Sequence, residues 1–307
     1  MRRILFVKTS SLGDVVHHAP AVSDAAREAP AAEIHWVVEE PFADVARMHR
    51  AVKRVFPVAL RRWRRAPWSP SVWSEIRRFR AALAEQPYDA VVDSQGLLKS
   101  ALVCLAARGT RHGLDRASAR EPLAARFYDV RHAVPKGLHA VERNRRLTAA
   151  ALGYRYGGEL DYGLRAPKES LVRDDYSVFL TMTSRDDKLW PEERWIALGV
   201  ELGMKVLLPW GSEAERERAE RIARRIPGST VPSRMPIHEI AGLLQGAKMV
   251  AGVDTGLTHL AAALGTRTLG IYCGSDPRLT GLYGNNALNL GQQDMAPSVA
   301  EVRKALA

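Results

Sequence analysis

The feature that most narrows the fold is an alternation that runs almost from end to end. Short apolar runs at 4–7, 34–38, 55–58 and 90–92 are separated by stretches of helical spacing at 19–28, 72–85, 100–107 and 141–152. The pattern then breaks and resumes, with apolar runs at 177–180, 206–208, 248–252 and 268–271. Between and after these lie helical stretches at 192–202, 213–226, 237–245 and 257–264. Strands that read as continuous apolar runs are buried on both faces, and strands alternating with helices form parallel sheets. The break, residues 155–175, is rich in Gly, Pro and charge and predicts a linker. The expectation is an α/β chain of two doubly wound halves, with a cleft between the C-terminal ends of their two sheets.

Length and composition allow this. A chain of 307 residues is long enough for two cores, and no window holds the ~20 apolar residues of a membrane span. The start reads as a first strand rather than a signal peptide. Cys104 and Cys273 fall in different halves, so no disulfide framework is suggested and a reducing cytoplasm fits. The net charge of +11 is unevenly placed. Residues 1–165 hold 28 Lys and Arg against 17 Asp and Glu, and the remainder is balanced at 17 each. A basic first half implies a polyanionic partner: nucleic acid, an anionic membrane face or an acidic substrate.

Polar turns follow several of the predicted strands. The run Met249-Val250-Ala251-Gly252-Val253 stops at Asp254-Thr255-Gly256, and Leu257, Leu260, Ala261 and Leu264 follow at helical spacing. A strand-to-helix turn of this kind leaves N–H groups open at the positive end of the helix dipole, a natural phosphate site. The alternative is a capped helix after a core strand. Lys8-Thr9-Ser10-Ser11-Leu12-Gly13-Asp14 follows the first strand. Asp14 there could accept a proton from an attacking hydroxyl, or could only cap the next helix. The spacing is neither a dinucleotide fingerprint nor a P-loop.

Thr183-Ser184-Arg185-Asp186-Asp187-Lys188 offers phosphate donors, or else forms a solvated charged turn. Glu215 could bind ribose hydroxyls, or could belong with Glu213, Glu217 and Glu220 to a solvated helix face. Arg61-Arg62-Trp63-Arg64-Arg65-Ala66-Pro67-Trp68 suits anionic oxygens, a membrane interface or single-stranded nucleic acid. Asp93-Ser94-Gln95-Gly96 and Ala119-Arg120-Glu121-Pro122 add further polar edges, and His139 opens a helix. No Cys/His cluster has metal-ligand spacing, and the sequence implies no metal or cofactor.

In order, these motifs resemble the bacterial lipopolysaccharide heptosyltransferases of glycosyltransferase family 9, most closely the branch that adds the first heptose. The resemblance covers nearly the whole chain. Besides the motifs above it rests on Trp36-Val37-Val38-Glu39-Glu40, Leu97-Leu98-Lys99-Ser100, Leu208-Pro209-Trp210-Gly211 and Val253-Asp254-Thr255-Gly256-Leu257-Thr258-His259.

That resemblance implies the GT-B fold, two Rossmann-like doubly wound domains facing a central cleft. Residues 1–165 would bind the acceptor, Kdo2-lipid A, and residues 166–294 the donor, ADP-L-glycero-β-D-manno-heptose. Residues 295–307 would form a helix returning toward the first domain. Heptose would pass with inversion to the inner Kdo sugar, without a cofactor, at the cytoplasmic face of the inner membrane. Asp14 matches the family's base and Lys188 its catalytic cation. Thr183, Ser184, Lys188, Thr255, Gly256 and His259 match diphosphate and heptose contacts. Asp254 matches a heptose contact, Glu215 a ribose contact and Met235 the adenine position. Ser10, Gly13, Arg61, Arg62, Arg64 and Arg120 match the acceptor side. An enzyme adding the second heptose and a GT-B sugar-nucleotide epimerase are the alternatives, and no nucleic acid is expected as partner.

Overall fold

In the computed structural model, which describes residues 2–167, 172, 174–183 and 185–306, the chain divides into two compact units, Met1–Leu164 and Arg165–Ala307. The first holds a parallel sheet of β1 (Arg3–Val7), β2 (Glu33–Glu39), β3 (Val52–Val58), β4 (Pro87–Asp93), β5 (Arg108–Leu114) and β6 (Val130–His132), in the order β3-β2-β1-β4-β5-β6. Central β1 places Ile4 opposite Ile34 on one side and Ala90 on the other.

Helices cover both faces, as apolar runs of this kind require. Helix α1 (Leu12–Glu28) lies over Phe6, whose ring meets His18 at 5.0 Å. The short α2 (Ala43–Arg47) and α3 (Leu60–Trp63) flank β3 in sequence, and α4 (Pro70–Ala84) and α5 (Leu98–Cys104) cover the opposite face. There Leu83, Val103 and Cys104 join Leu5, Val7, Phe56 and Val58 in one core cluster. Helix α6 (Ala140–Leu152) packs beside α1.

The second unit holds β7 (Tyr176–Leu180), β8 (Lys205–Leu207), β9 (Met249–Val253), β10 (Thr268–Tyr272) and β11 (Ala287–Gly291), again parallel, in the order β11-β10-β9-β7-β8. Its helices are α7 (Glu192–Leu202), α8 (Glu213–Ala223), α9 (Ile237–Gln245), α10 (Gly256–Ala263), α11 (Pro277–Thr280) and α12 (Val299–Leu306). The rings of Phe179 and Trp190 each lie 5.0 Å from Trp195 in the core. The C-terminal α12 packs on α7, and its Val302 and Leu306 belong to the same cluster.

Two differences from the sequence reading stand out. Helix α1 begins at Leu12, not residue 19, and runs through Pro20, so the Val16 carbonyl has no N–H at i+4. Strands β5, β6 and β11 carry no apolar run, because they lie at or next to a sheet edge and have solvent on part of their surface. Among the described residues, no helix is long and apolar enough to cross a membrane.

His49 is buried in the first unit, with Nε2 3.1 Å from Ser23 Oγ and 3.2 Å from the Ala19 carbonyl oxygen. Burial lowers its pKa from 6.5 to about 4. The unfolded chain therefore binds this proton first as pH falls. The stability His49 contributes is complete above about 6.5 and is lost between there and about 4. In urea unfolding followed across that window, His49→Gln should lack a share of the acid-induced loss on the order of 3 kcal/mol. Equal slopes in both proteins would show that burial does not control this imidazole.

Candidate functional site

In each sheet the strand order reverses once, between β1 and β4 in the first unit and between β7 and β9 in the second. Loops leaving two such neighbours turn apart and open a crevice at the carboxyl ends, where α/β sheets bind ligands. Four of the polar turns singled out in the sequence lie at these two positions, those after β1 and β4 and those after β7 and β9.

In the first unit, the residues after β1 meet those after β4. Gln95 Oε1 accepts the backbone N–H groups of Thr9 and Ser10 at 3.1 and 3.2 Å. Lys99 Nζ donates to Ser10 Oγ at 2.8 Å. Lys8 is buried, and its Nζ donates to the Ser94 carbonyl at 3.0 Å and to Asn144 Oδ1 at 3.4 Å. Burial lowers its pKa against the opposing pull of the Asp14 and Asp93 carboxylates. Asp93 is itself buried; desolvation raises its pKa despite hydrogen bonds from Tyr128 and the amides of Gln95 and Gly96.

Half-buried Asp14 stands in the first turn of α1, one residue after Gly13. Its Oδ2 accepts the backbone N–H of Ser11 at 2.8 Å and the Ser11 hydroxyl at 3.2 Å. The capping reading thus holds for one oxygen, and Oδ1 has no partner among the described residues. Asp14 can cap the helix and still offer a basic oxygen.

The four expected acceptor-side arginines divide into two kinds. Arg62 is clamped by Glu40 and Glu75, whose hydrogen bonds at 3.1–3.2 Å raise its pKa and neutralise its charge locally. Arg61 is fixed at its backbone, where buried Glu39 accepts its N–H at 2.8 Å, and its guanidinium lies 5.6 Å from the Phe42 ring centroid. Arg64 and Arg120 are exposed and make no ion pair among the described residues.

In the second unit the centre is Asp254, at the end of β9. Its Oδ2 accepts from Lys188 Nζ at 2.6 Å and from Ser275 Oγ at 2.7 Å, and His259 Nε2 lies 3.4 Å from Oδ1. Burial alone would raise the carboxyl's pKa. The hydrogen bonds from His259, Lys188 and Ser275 outweigh it and hold the group ionised, well below the usual carboxylate range. Thr183 Oγ1, after β7, donates to the Asp254 carbonyl at 2.9 Å and spans the switch point. Ser184 lies outside the described residues.

Helix α10 starts here with Thr255 as N-cap, and Thr255 has no side-chain cap bond. The first helical N–H bonds come from Thr258 and His259 to the Thr255 carbonyl, at 3.1 and 3.4 Å. Among the described residues the Gly256 and Leu257 amides are therefore open, just after the Asp254 that holds the Lys188 ammonium. The loop after β10 reaches the site because residue 274 is glycine. A Cβ there would lie 2.6 Å from the Asp187 carbonyl oxygen, in the turn that carries Lys188.

Two further expected residues lie elsewhere in the second unit. Glu215 Oε2 accepts the Gly211 N–H at 2.7 Å, tying the loop after β8 to α8. Half-buried Met235 precedes α9. Sequence reasoning missed Ser275, Lys8 and Asn144 as site members. Ser275 stands in a post-strand loop, the signal that found the others, whereas Asn144 gave none, being brought in from α6 by packing. Among the described residues, no group of three or more His, Cys, Asp or Glu is arranged to hold a metal ion.

The sequence profile described as glycosyltransferase family 9 (heptosyltransferase) matches residues 76–305. The chain belongs to that family. This heptosyltransferase is 47% identical over 294 residues to lipopolysaccharide heptosyltransferase 1 of Escherichia coli K12, covering 93% of this chain and 92% of that one. It is 48% identical to the Pseudomonas aeruginosa PAO1 protein of the same name, over 94% of this chain and 83% of the other. The solved structure of E. coli heptosyltransferase WaaC with ADP matches at a TM-score of 0.94 and 42% identity, covering 99% and 98% of the two chains. The fold is of the GT-B class, with two Rossmann-like parallel-sheet units, and the protein is a glycosyltransferase.

Asp254 gives the site a measurable signature. Its pKa is depressed in the folded protein, so the stability it contributes is present above the unfolded carboxyl's value, about 4, and lost as pH falls below it. Asp254→Asn should cost about 3 kcal/mol near neutral pH, since it strands a partly buried ammonium. The gap between the two proteins should narrow in denaturant titrations as the pH is lowered from about 4 toward about 2. A gap that stays constant with pH would mean the carboxylate charge is not what Lys188 and His259 hold.

Proposed function

We propose that this heptosyltransferase moves L-glycero-D-manno-heptose from ADP-L-glycero-β-D-manno-heptose to the inner Kdo sugar of Kdo2-lipid A, with inversion, in lipopolysaccharide inner-core synthesis. The observation that carries this is the 47% identity, over 93% of the chain, to a lipopolysaccharide heptosyltransferase 1. The donor is supported by a 42% identical WaaC structure with ADP-2-deoxy-2-fluoro heptose, which has a TM-score of 0.90.

In this reading Asp14 Oδ1 takes the proton from the Kdo hydroxyl as that oxygen attacks the anomeric carbon. The bond to the diphosphate breaks on the opposite face, and ADP leaves with the electron pair. Negative charge growing on the diphosphate meets the Lys188 ammonium and the open amides of Gly256 and Leu257, donors already in place before reaction. A diphosphate competes with Asp254 for Lys188, which leaves the Asp254 carboxylate to accept heptose hydroxyls with His259 beside it. Thr183 and Thr255 line the phosphates, Glu215 takes the ribose and Met235 the adenine.

Ser10, Gly13, Arg61, Arg62, Arg64 and Arg120 face the acceptor's carboxylates and phosphates. Arg62 arrives already paired and serves mainly to hold that segment in shape. Such an acceptor is anchored in a bilayer, so the enzyme works peripherally at the cytoplasmic face of the inner membrane.

Incubation with ADP-heptose and Kdo2-lipid A should raise the lipid's mass by one heptose. Asp14→Asn should lower kcat by roughly 10²–10⁴-fold with ADP affinity retained, as expected for removal of a general base. Lys188→Ala should lower kcat by roughly 10²–10³-fold and weaken ADP binding as well. An unmodified lipid would reject the substrates. Parallel loss of ADP affinity and turnover in Asp14→Asn would reject the base.

A further inference from the structure

The large exposed apolar side chains of the first unit are not scattered. Trp68 and Trp73, 91% and 52% exposed, lie in the turn before α4 and in its first turn. Leu102 and Leu105, 54% and 43% exposed, lie on and just after α5, and Leu123, 52% exposed, lies on the short turn Pro122–Phe127 packed against α5. Helices α4 and α5 cover the same sheet face, through Leu83, Val103 and Cys104. Among the described residues, the α1–α6 layer on the other face exposes no large apolar residue, and only Val130 on β6 falls elsewhere in the unit. One face of this unit therefore presents its aromatic and aliphatic surface to solvent.

The same face carries much of the chain's excess charge. Residues 60–84 contain seven arginines and a single acid, Glu75, which is spent on Arg62. Arg108, at the start of β5 just after α5, and Arg126, on the Pro122–Phe127 turn, add to it, and α5 itself carries no acid. Tryptophans beside arginines suit a membrane–water interface, where an amphipathic ring sits at headgroup depth and cations meet anionic lipid. Single-stranded nucleic acid would use the arginines and tryptophans but has no use for three exposed leucines.

We propose that the outer surface of α4, α5 and the Pro122–Phe127 turn is the face by which this enzyme docks on an anionic bilayer, with Trp68 and Leu123 entering the headgroup region. This rests on the reading that the acceptor is lipid-anchored, and it assigns to particular residues a contact that reading leaves unspecified. The turn bearing Trp68 is held for the purpose. The Trp73 indole N–H donates to the Pro67 carbonyl at 2.9 Å, and Trp63 Nε1 to Glu75 at 2.8 Å, so the segment meets a surface already formed.

The test is co-sedimentation of the full chain with vesicles of phosphatidylethanolamine and phosphatidylglycerol, and with phosphatidylcholine vesicles, all free of acceptor. The chain should partition onto the anionic vesicles and release as salt rises. Trp68→Ser with Leu123→Ser should lower that partition at least tenfold, and Arg65→Glu with Arg77→Glu by roughly as much. None of these side chains is assigned to the reaction. Transfer to a deacylated, water-soluble Kdo acceptor should therefore stay unchanged, while transfer to vesicle-embedded acceptor falls. Equal binding to both vesicle types, wild-type partition by the Trp68/Leu123 variant, or tighter retention by single-stranded oligonucleotide than by vesicles at physiological salt would overturn the assignment. Failure with the deacylated acceptor would instead strike the transfer reaction, so the two readings fail separately.

Discussion

A parallel sheet whose strand order reverses has to send two neighbouring chain segments in opposite directions as they leave it. The gap between them holds backbone groups with no sheet partner, and those groups must be satisfied by polar side chains, water or a ligand. Both units of this protein have one such gap, and each fills it in its own way. In the first, Gln95 and Lys8 tie the outgoing loops together. In the second, an aspartate gathers a lysine, a histidine and a serine beside an uncapped helix start. The chemistry follows from what each gap was given, a carboxylate with one open oxygen in one case and a cation with open amides in the other.

The second arrangement works because its charges are arranged before any ligand arrives. Lys188 in water would be a mobile, hydrated point charge. Held by Asp254 at 2.6 Å, it stands at the start of α10 with its position already fixed. In the proposed reaction the cost is competition, since an incoming diphosphate would have to share the ammonium with the Asp254 carboxylate. The Lys188–Asp254 pair carries little net charge when empty, which suits the proposed site, from which an anionic nucleoside diphosphate would have to leave as well as bind.

Much of this was legible in the sequence. The buried strands declared themselves as apolar runs, and the turns after them supplied nearly every site residue, because in a parallel sheet the outgoing loops are where polar residues can gather. What escaped had physical reasons. Edge strand β6, with β5 beside it, reads as polar because solvent replaces a covering layer. Pro20 hid the first seven residues of α1, since a proline more often begins a helix than sits inside one. Asn144 entered the first gap through packing of α6 on α1, a contact no local pattern encodes. The division of the arginines into clamped Arg62 and unpaired Arg64 depended on Glu40 and Glu75, remote in sequence and adjacent only after folding.

The glycine at 274 carries one more consequence. Because its missing side chain lets the loop after β10 press against the Asp187 backbone, the segment bearing Ser275 and the segment bearing Lys188 behave as a single wedge. Either segment can shift only if the other yields. Substitutions in the two should therefore combine non-additively, and drift in one during divergence should constrain what the other can accept. A family that varies its sugar substrate through this region would have to change both together.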